Sequence, residues 1–218
     1  MKTIHREQFE KIGEEGNERL KGHTVSIMGL GSVGSQVAEI LAREDFDLRL
    51  IDKGRVEEVD MGRLSIFQEE DITKFKVKQA KKRLEQLNPR VKVKSFHEEL
   101  NEQNVFLIES EVVIDTTNQP EINKLIYDYC QEKKIPLLLA RYSGSQIKLF
   151  VANKKTTQKQ FDWIEDVGNV TDEGVYSGCV MLAASLIVTQ LFRYFLGDTL
   201  SYHTQAESWK GSIKRTKL

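Results

Sequence analysis

The chain has 218 residues, with 32 lysines and arginines against 33 aspartates and glutamates, so its formal net charge at pH 7 is -1. This length is sufficient for a large domain with its own hydrophobic core. The balanced charge lacks the basic excess of general nucleic-acid-binding proteins, so no nucleic acid is expected as a partner. Two cysteines and four scattered histidines exclude a disulfide scaffold and a local zinc motif, and they are typical of a cytoplasmic protein.

The first 140 residues alternate short apolar runs with amphipathic segments. A polar helix is predicted over residues 3–20. Strands are predicted over 24–28, 47–51, 91–96, 111–115 and 136–140. Apolar residues at helical spacing predict helices over 33–43, 76–87, 103–109 and 120–132. This alternation is typical of a doubly wound parallel sheet.

The rest of the chain has a different pattern, with a strand over 145–152, a polar loop over 153–173, a helix over 177–196 and strands over 201–205 and 212–217. The helix is apolar enough to suggest a membrane span. Gln190 and Arg193 interrupt it, which favours a helix buried against a sheet. The polar N-terminus does not look like a targeting signal. We therefore expect one α/β domain over residues 1–218, with a Rossmann-like doubly wound sheet that has a parallel N-terminal half and an antiparallel C-terminal extension.

A glycine-rich turn joins the first predicted strand to the next helix. Gly29, Gly31 and Gly34 match Gly-x-Gly-x-x-Gly, and Asp52 ends the following strand. In such a turn the first glycine permits the bend, the second admits a phosphate to the backbone, and the third lets helix and strand pack closely. The helix N-terminus favours phosphate, and the acid can accept hydrogen bonds from ribose. The pattern predicts a site for NAD or ATP; the alternative is a sharp turn that has lost its ligand.

Several segments, in order, carry a resemblance to a known family. They are Ile27-Met-Gly-Leu-Gly-Ser-Val-Gly34, Leu50-Ile-Asp52, Val59-Asp-Met-Gly-Arg63, Asp71-Ile-Thr-Lys-Phe-Lys76, Leu87-Asn-Pro89, Val112-Val-Ile-Asp-Thr-Thr117 and the run 185–197. Together they resemble the ThiF/MoeB/HesA family, relatives of the ubiquitin-activating enzymes. The resemblance implies a homodimer that uses ATP and Mg²⁺ to adenylate the C-terminal glycine of a small ubiquitin-like sulfur-carrier protein ending in Gly-Gly. The pathway stays open between thiamine, molybdopterin, cysteine and tRNA thiolation.

The resemblance also assigns roles to single residues. Gly29, Gly31, Ser32 and Gly34 fall in the nucleotide loop, Asp52 on the ribose-binding acid, Arg63 on a triphosphate-binding arginine and Lys76 on a phosphate-binding lysine. Adenylation brings a carboxylate to the α-phosphorus of ATP, and fixed positive charge offsets the repulsion between the two anions. Arg63 and Lys76 are therefore the expected catalytic cations, with side chains that face phosphate and not the core.

Departures from the family pattern bear on activity. Asn118 stands where the family has a magnesium-binding aspartate, and an amide oxygen attracts a divalent cation less strongly than a carboxylate does. Asp115 is the nearby acid that could compensate, and Asn118→Asp is expected to strengthen magnesium binding. The zinc-binding Cys-x-x-Cys pairs of the family are missing, so no zinc is expected. Cys179 is expected to pack within its apolar helix and not to act as a nucleophile.

These departures keep other hypotheses open. One is a nucleotide-binding scaffold or regulator of the same fold with weak or no adenylation activity. Another is an NAD-linked oxidoreductase, for which the chain shows no substrate domain. The basic run over 74–83 is expected to be a solvated helix start, with a docking patch as the alternative. Arg6 is a candidate for contact with the ATP of a partner subunit, a role that the resemblance implies for N-terminal arginines.

Overall fold

The computed structural model of the chain describes residues 4–62, 66–165, 174–198 and 202–217. Within these ranges the strands are β1 (Thr24–Met28), β2 (Asp47–Ile51), β3 (Val93–Phe96), β4 (Val112–Asp115), β5 (Leu137–Ser143), β6 (Gln146–Ala152), β7 (Tyr202–Glu207) and β8 (Ser212–Lys217). They form one sheet in the order β3-β2-β1-β4-β5-β6-β7-β8. Neighbours from β3 to β5 are parallel and those from β5 to β8 are antiparallel. The predicted parallel half with an antiparallel extension is confirmed.

Helices cover both faces of this sheet. They are α1 (Ile4–Glu7), α2 (Gly13–Arg19), α3 (Ser32–Arg43), α4 (Lys76–Leu87), α5 (Pro120–Lys133), α6 (Gln158–Phe161) and α7 (Ser177–Phe195). Helices α3, α4 and α7 bury their apolar side chains against strand residues such as Val25 and Ile27. Helices α5 and α6 pack on the other face, around Phe150 and Phe161. The sheet is therefore doubly wound, as predicted.

Several predicted segments differ from the structure. The helix predicted over 103–109 is only a short 3-10 helix over Val105–Ile108, and the strand predicted over 136–140 runs from Leu137 to Ser143. The helix predicted over 3–20 is divided into α1 and α2, because Gly13 has a φ of 61°, which a continuous right-handed helix does not contain. The loop predicted over 153–173 contains α6, whose first turn is capped by Thr157 and Gln160. A polar helix of 4 residues has no apolar repeat by which the sequence could show it. Residues 166–173 lie outside the described part of the chain.

Helix α7 is the one helix in the described ranges that is long and apolar enough to cross a membrane, by length and composition alone. In the fold it packs against α3 and against strands β5 and β6. Gln190, which interrupts its apolar sequence, is buried and accepts hydrogen bonds from Arg193 and from Arg215 of β8. The predicted buried helix is thus observed, and its polar residue ties it to the antiparallel extension.

Candidate nucleotide-binding site

A cavity of about 510 Å³ lies at the carboxyl ends of strands β1, β2 and β4, the edge at which open α/β sheets bind ligands. Its lining includes six of the residues predicted to bind nucleotide, namely Gly29, Gly31, Ser32, Asp52, Lys76 and Asn118. Gly34 lies beside it, in the contact between α3 and the loop. Arg63 lies outside the described residues. The fold therefore brings most of the predicted site together.

A larger cavity, of about 660 Å³, lies at the opposite edge of the sheet. Its lining includes His23, Glu111 and Pro136, which directly precede β1, β4 and β5. The glycine loop and the amino end of α3 lie at the other edge and do not line it. Phosphates bind where a helix N-terminus meets the carboxyl edge of a parallel sheet, so the smaller cavity is the candidate nucleotide site.

The three glycines of the loop occupy their positions for different structural reasons. Gly29 has a φ of 85°, a conformation that residues with side chains rarely adopt. A Cβ atom on Gly34 would lie 1.9 Å from the carbonyl oxygen of Gly29, so a larger residue would push α3 away. A Cβ atom on Gly31 would meet nothing closer than the Tyr142 hydroxyl at 3.9 Å. The bend and the close packing are thus visible in the structure, and the approach of phosphate to Gly31 stays a prediction.

Asp52 is held rigidly at the end of β2. Its Oδ2 accepts a hydrogen bond from the backbone N–H of Leu30 at 2.6 Å, and its Oδ1 accepts one from Gly54 at 2.5 Å. A carboxylate has about four acceptor positions, so Asp52, which lines the cavity, can accept further hydrogen bonds. The side chain thereby joins the glycine loop to the loop after β2 and keeps the capacity to bind ribose hydroxyls.

Lys76 is already bonded to a carboxylate within the cavity. Its Nζ lies 2.9 Å from Oδ2 of Asp60, and the two side chains are only 14% and 7% exposed. The same carboxylate oxygen accepts a hydrogen bond from the backbone N–H of Glu57 at 3.0 Å, which holds Asp60 in a tight turn. A phosphate that binds Lys76 must therefore compete with Asp60.

The described lining carries more negative than positive charge. Asp52, Asp60, Glu98 and Glu99 contribute carboxylates, whereas the cations are Lys53 and Lys76. Lys53 is in turn paired with Glu99. Positive potential for phosphates therefore comes from Lys76 and the N-terminus of α3 among the residues that the structure describes.

Asn118 follows β4 with a φ of 57°, the left-handed conformation. Its Oδ1 accepts a hydrogen bond from Nε of Arg141 at 3.3 Å, and its Nδ2 donates to the carbonyl oxygen of Tyr142 at 3.5 Å. Arg141 is a buried residue of β5. A guanidinium at this oxygen opposes a divalent cation on the same atom, because the two positive charges repel each other. The side chain of Asn118, with Arg141 at its oxygen, therefore does not fit a metal ligand.

Asp115 supports a turn and does not line the cavity. It is fully buried, with Oδ1 bonded to the backbone N–H and hydroxyl of Thr117 and Oδ2 bonded to the amide of Asn123. Burial raises the pKa of this carboxyl, and the hydrogen bonds and the charge of Arg141 oppose that effect. Across the described residues, no group of three or more acids, histidines and cysteines could hold a metal ion.

Two other candidates are enclosed by their own chain. Arg6 is 8% exposed, donates to Asn17 at 2.6 Å and forms an ion pair with Glu44 at the end of α3. It ties the N-terminal segment to α3. The contact with a partner subunit's ATP, for which the sequence made Arg6 a candidate, is therefore not favoured by its position in the fold. Cys179 and Cys130 are both buried, and burial raises the pKa of each thiol. A high pKa disfavours the thiolate form that a nucleophile needs.

Sequence reasoning did not select three residues of this region, Asp60, Arg141 and Tyr142. Asp60 shows in the sequence only as a departure, in Asp60-Met-Gly-Arg63, from the Asn-Leu-x-Arg-Gln that the resemblance implies. Arg141 and Tyr142 extend β5 beyond the predicted end at residue 140. Because the carboxyl ends of parallel strands meet at one edge, a longer predicted β5 would have placed both beside Asn118.

Comparison with known proteins gives the family. A model described as the ThiF family matches residues 5–218. The sulfur carrier protein ThiS adenylyltransferase of Bacillus subtilis is 25% identical over 201 residues, which cover 88% of this chain and 60% of that protein. The molybdopterin-synthase adenylyltransferase of Haemophilus influenzae is 29% identical over 144 residues, which cover 65% of this chain and 58% of that protein. The chain thus spans about three fifths of the length of these relatives.

Solved structures agree on the fold. The crystal structure of Escherichia coli MccB with ATP superposes with a TM-score of 0.79 at 19% identity, covering 93% of this chain and 66% of that one. At this identity the likeness concerns the fold. With the family model matching nearly the whole chain and the relatives being adenylyltransferases, this chain belongs to the ThiF family.

Proposed function

We propose that the protein uses ATP to adenylate the C-terminal glycine carboxylate of a small ubiquitin-like sulfur-carrier protein that ends in Gly-Gly. The observation that carries the proposal is the convergence of the glycine loop, the anchored Asp52 and Lys76 on one cavity at the carboxyl edge of the sheet. The names of the relatives support adenylyl transfer. The proposal includes a homodimer, as the sequence resemblance implies, and a cytoplasmic location, which the few cysteines favour.

Each residue has a defined part in this reaction. Asp52 accepts hydrogen bonds from ribose, and the loop with the α3 N-terminus receives the phosphates. Lys76 and Arg63 stabilise the negative charge that grows as the carrier carboxylate attacks the α-phosphorus and pyrophosphate leaves. The new bond joins a carboxylate oxygen to phosphorus, and the bond that breaks joins the α-phosphorus to the bridging oxygen. No step is assigned to a metal held by Asn118 or Asp115.

The test is carrier-dependent exchange of labelled pyrophosphate into ATP. Purified protein is incubated with ATP and a panel of sulfur carriers that end in Gly-Gly. Each carrier is matched by a version that lacks its final glycine. Exchange with one intact carrier and not with its truncated form is the expected result. Exchange that ignores the carrier terminus, or no exchange with any carrier, contradicts the proposal.

A second candidate is a nucleotide-binding scaffold or regulator of the same fold. Three observations favour this candidate: the ion pair of Lys76 with Asp60, the excess of carboxylates in the described lining, and the amide in place of a carboxylate at position 118. Such a protein would bind ATP without exchange. ATP binding measured alongside the exchange reaction separates this outcome from a chain that binds no nucleotide.

A further inference from the structure

The orientation of the Asn118 amide is set by its two neighbours. Arg141 can only donate hydrogen bonds, so the atom that faces its Nε must be the amide oxygen. The carbonyl of Tyr142 can only accept, so the atom that faces it must be the amide nitrogen. Both contacts require the same orientation, and neither survives a flip of the amide.

This orientation leaves donor capacity at the cavity. An amide nitrogen carries two N–H groups, and one of them is directed at Tyr142. Among the described residues, no further acceptor bonds this nitrogen, and Asn118 lines the cavity next to Thr117 and Gln119. A side chain whose oxygen is engaged by a guanidinium and whose nitrogen has a spare N–H suits an anionic ligand.

The backbone at this position adds a reason for asparagine. The φ of 57° belongs to the left-handed region, where asparagine is among the few residues with a side chain that occur readily. Arg141 lies on β5 beside the end of β4, with the ladder pairing Asp115 to Leu139. The two strands therefore bring the guanidinium to the oxygen of the Asn118 amide, which lines the cavity.

We propose that Asn118 donates a hydrogen bond to a phosphate oxygen of the nucleotide, held in that orientation by Arg141, and does not bind a divalent cation. Asn118 is then a nucleotide-binding residue, and Arg141 is a positioning residue that acts through it. This inference rests on the proposed nucleotide site but not on adenylation. It also changes the expectation for Asn118→Asp, because a carboxylate at this position would pair with Arg141 and face the phosphates.

The test compares wild type, Asn118→Asp and Asn118→Gly for binding of the non-hydrolysable analogue AMPCPP. Calorimetric dissociation constants are measured in excess MgCl₂ and in excess EDTA. Asn118→Asp is expected to weaken binding about tenfold or more in both media, since it replaces a donor by a like charge. Asn118→Gly keeps the left-handed backbone and is expected to weaken binding less. A metal ligand would behave oppositely, with Asn118→Asp binding more tightly than wild type in MgCl₂, and that result overturns the inference.

Arg141 is tested by a double-mutant cycle with Asn118→Gly. Arg141→Met is expected to weaken AMPCPP binding in the wild-type background and to have no further effect once the amide is gone. The matched control is Lys148→Met, which removes an equally buried cation of β6 that is in register with Arg141 but donates to the carbonyl of Trp163. An equal loss from Arg141→Met in both backgrounds contradicts a role through Asn118.

The outcomes separate this inference from the proposed function. If AMPCPP binds and Asn118→Asp weakens it while no carrier supports exchange, adenylation fails and the inference stands. If exchange is carrier-dependent but Asn118→Asp tightens binding in MgCl₂, the inference fails alone. A wild-type protein that binds no AMPCPP overturns both. If Arg141→Met does not fold, as judged by its melting curve, the Asn118 variants still decide between donor and metal ligand.

Discussion

Lys76 meets a carboxylate at the place where it is expected to meet a phosphate. Replacing Lys76 by alanine would remove the cation that lies 2.9 Å from the buried Asp60 carboxylate, at a cost of about 2–4 kcal/mol of folding free energy. Lys76→Ala is therefore not a clean test of phosphate binding, although the sequence alone suggests it as one. The informative residue is Asp60.

Asp60→Asn should tighten ATP binding by about three- to tenfold, because it removes the charge that competes for Lys76. The asparagine oxygen can still accept the hydrogen bond from Glu57. The control is Asp71→Asn, because Asp71 is the matching residue of a second tight turn and pairs with Lys74 and Arg83 outside the cavity. Calorimetry should show tighter binding for the first variant and wild-type binding for the second; equal affinities in all three proteins would show that Asp60 does not compete.

The two thiols should be unreactive in the folded protein. Cys130 and Cys179 are buried, and burial raises the pKa of both, so little thiolate forms at neutral pH. Titration with DTNB should detect them only after denaturant is added. Cys179→Ser should retain whatever adenylation the wild type shows, whereas a carrier thioester that disappears in this variant would identify Cys179 as a nucleophile.

At the scale of elements, two glycines of the same loop are expected to have different roles, Gly34 in folding and Gly31 in nucleotide binding. Gly34→Ala should destabilise the fold by about 3 kcal/mol or more, because its Cβ would collide with the Gly29 carbonyl oxygen. Gly31→Ala should keep the melting temperature and weaken ATP binding, because its methyl group has space but stands where phosphate approaches. Melting curves and calorimetry of the two variants test the assignment. Unchanged ATP affinity in Gly31→Ala would show that the phosphates of ATP do not bind at this part of the loop.

The loop between β2 and α4 is fastened to the helix through Asp71. Its carboxylate accepts a hydrogen bond from the Gln68 backbone at 3.1 Å and pairs with Arg83 of α4 at 3.1 Å. Burial raises the pKa of Asp71, but the hydrogen bonds and the charge of Arg83 outweigh it, so the pKa lies below its usual 3.8.

A lowered pKa in the folded state gives stability that is present above the unfolded value and is lost as the pH falls through the folded value. Asp71→Asn should therefore destabilise the protein by about 1–2 kcal/mol at pH 7, and this deficit should shrink below about pH 4. Urea denaturation of both proteins across this range tests the expectation. A deficit that is constant with pH would mean that the charge of Asp71 does not contribute.

At the scale of the whole molecule, ligand binding should appear as thermal stabilisation. ATP at about one hundred times its dissociation constant should add about 2.7 kcal/mol, which for a chain of this size raises Tm by roughly 5–10 °C. NAD should give no comparable shift, and Gly31→Ala should respond less to ATP. Protection by NAD alone would favour the oxidoreductase hypothesis over adenylation.

Sequence by itself determined the layered architecture and the location of the loop. Apolar periodicity and glycine placement are local properties, so 24–28, 47–51 and 76–87 were predicted with the bounds that the structure has. The glycine loop and Asp52 carry their chemistry in their spacing along the chain, and they meet at the carboxyl edge of the sheet.

Only the tertiary structure decided which charged and polar side chains contact one another. Asp60 and Lys76 come from different segments, as do Asn118 and Arg141, and no pattern along the chain encodes their distances. The sequence left Asp115 as an acid that could compensate for Asn118 in binding magnesium. In the structure its carboxylate is bonded to Thr117 and Asn123. Side-chain pairing across a sheet edge depends on strand order and register, which arise from packing of the whole molecule. The same residue types therefore allow either a metal ligand or an anion donor at position 118, and the neighbouring guanidinium selects between them.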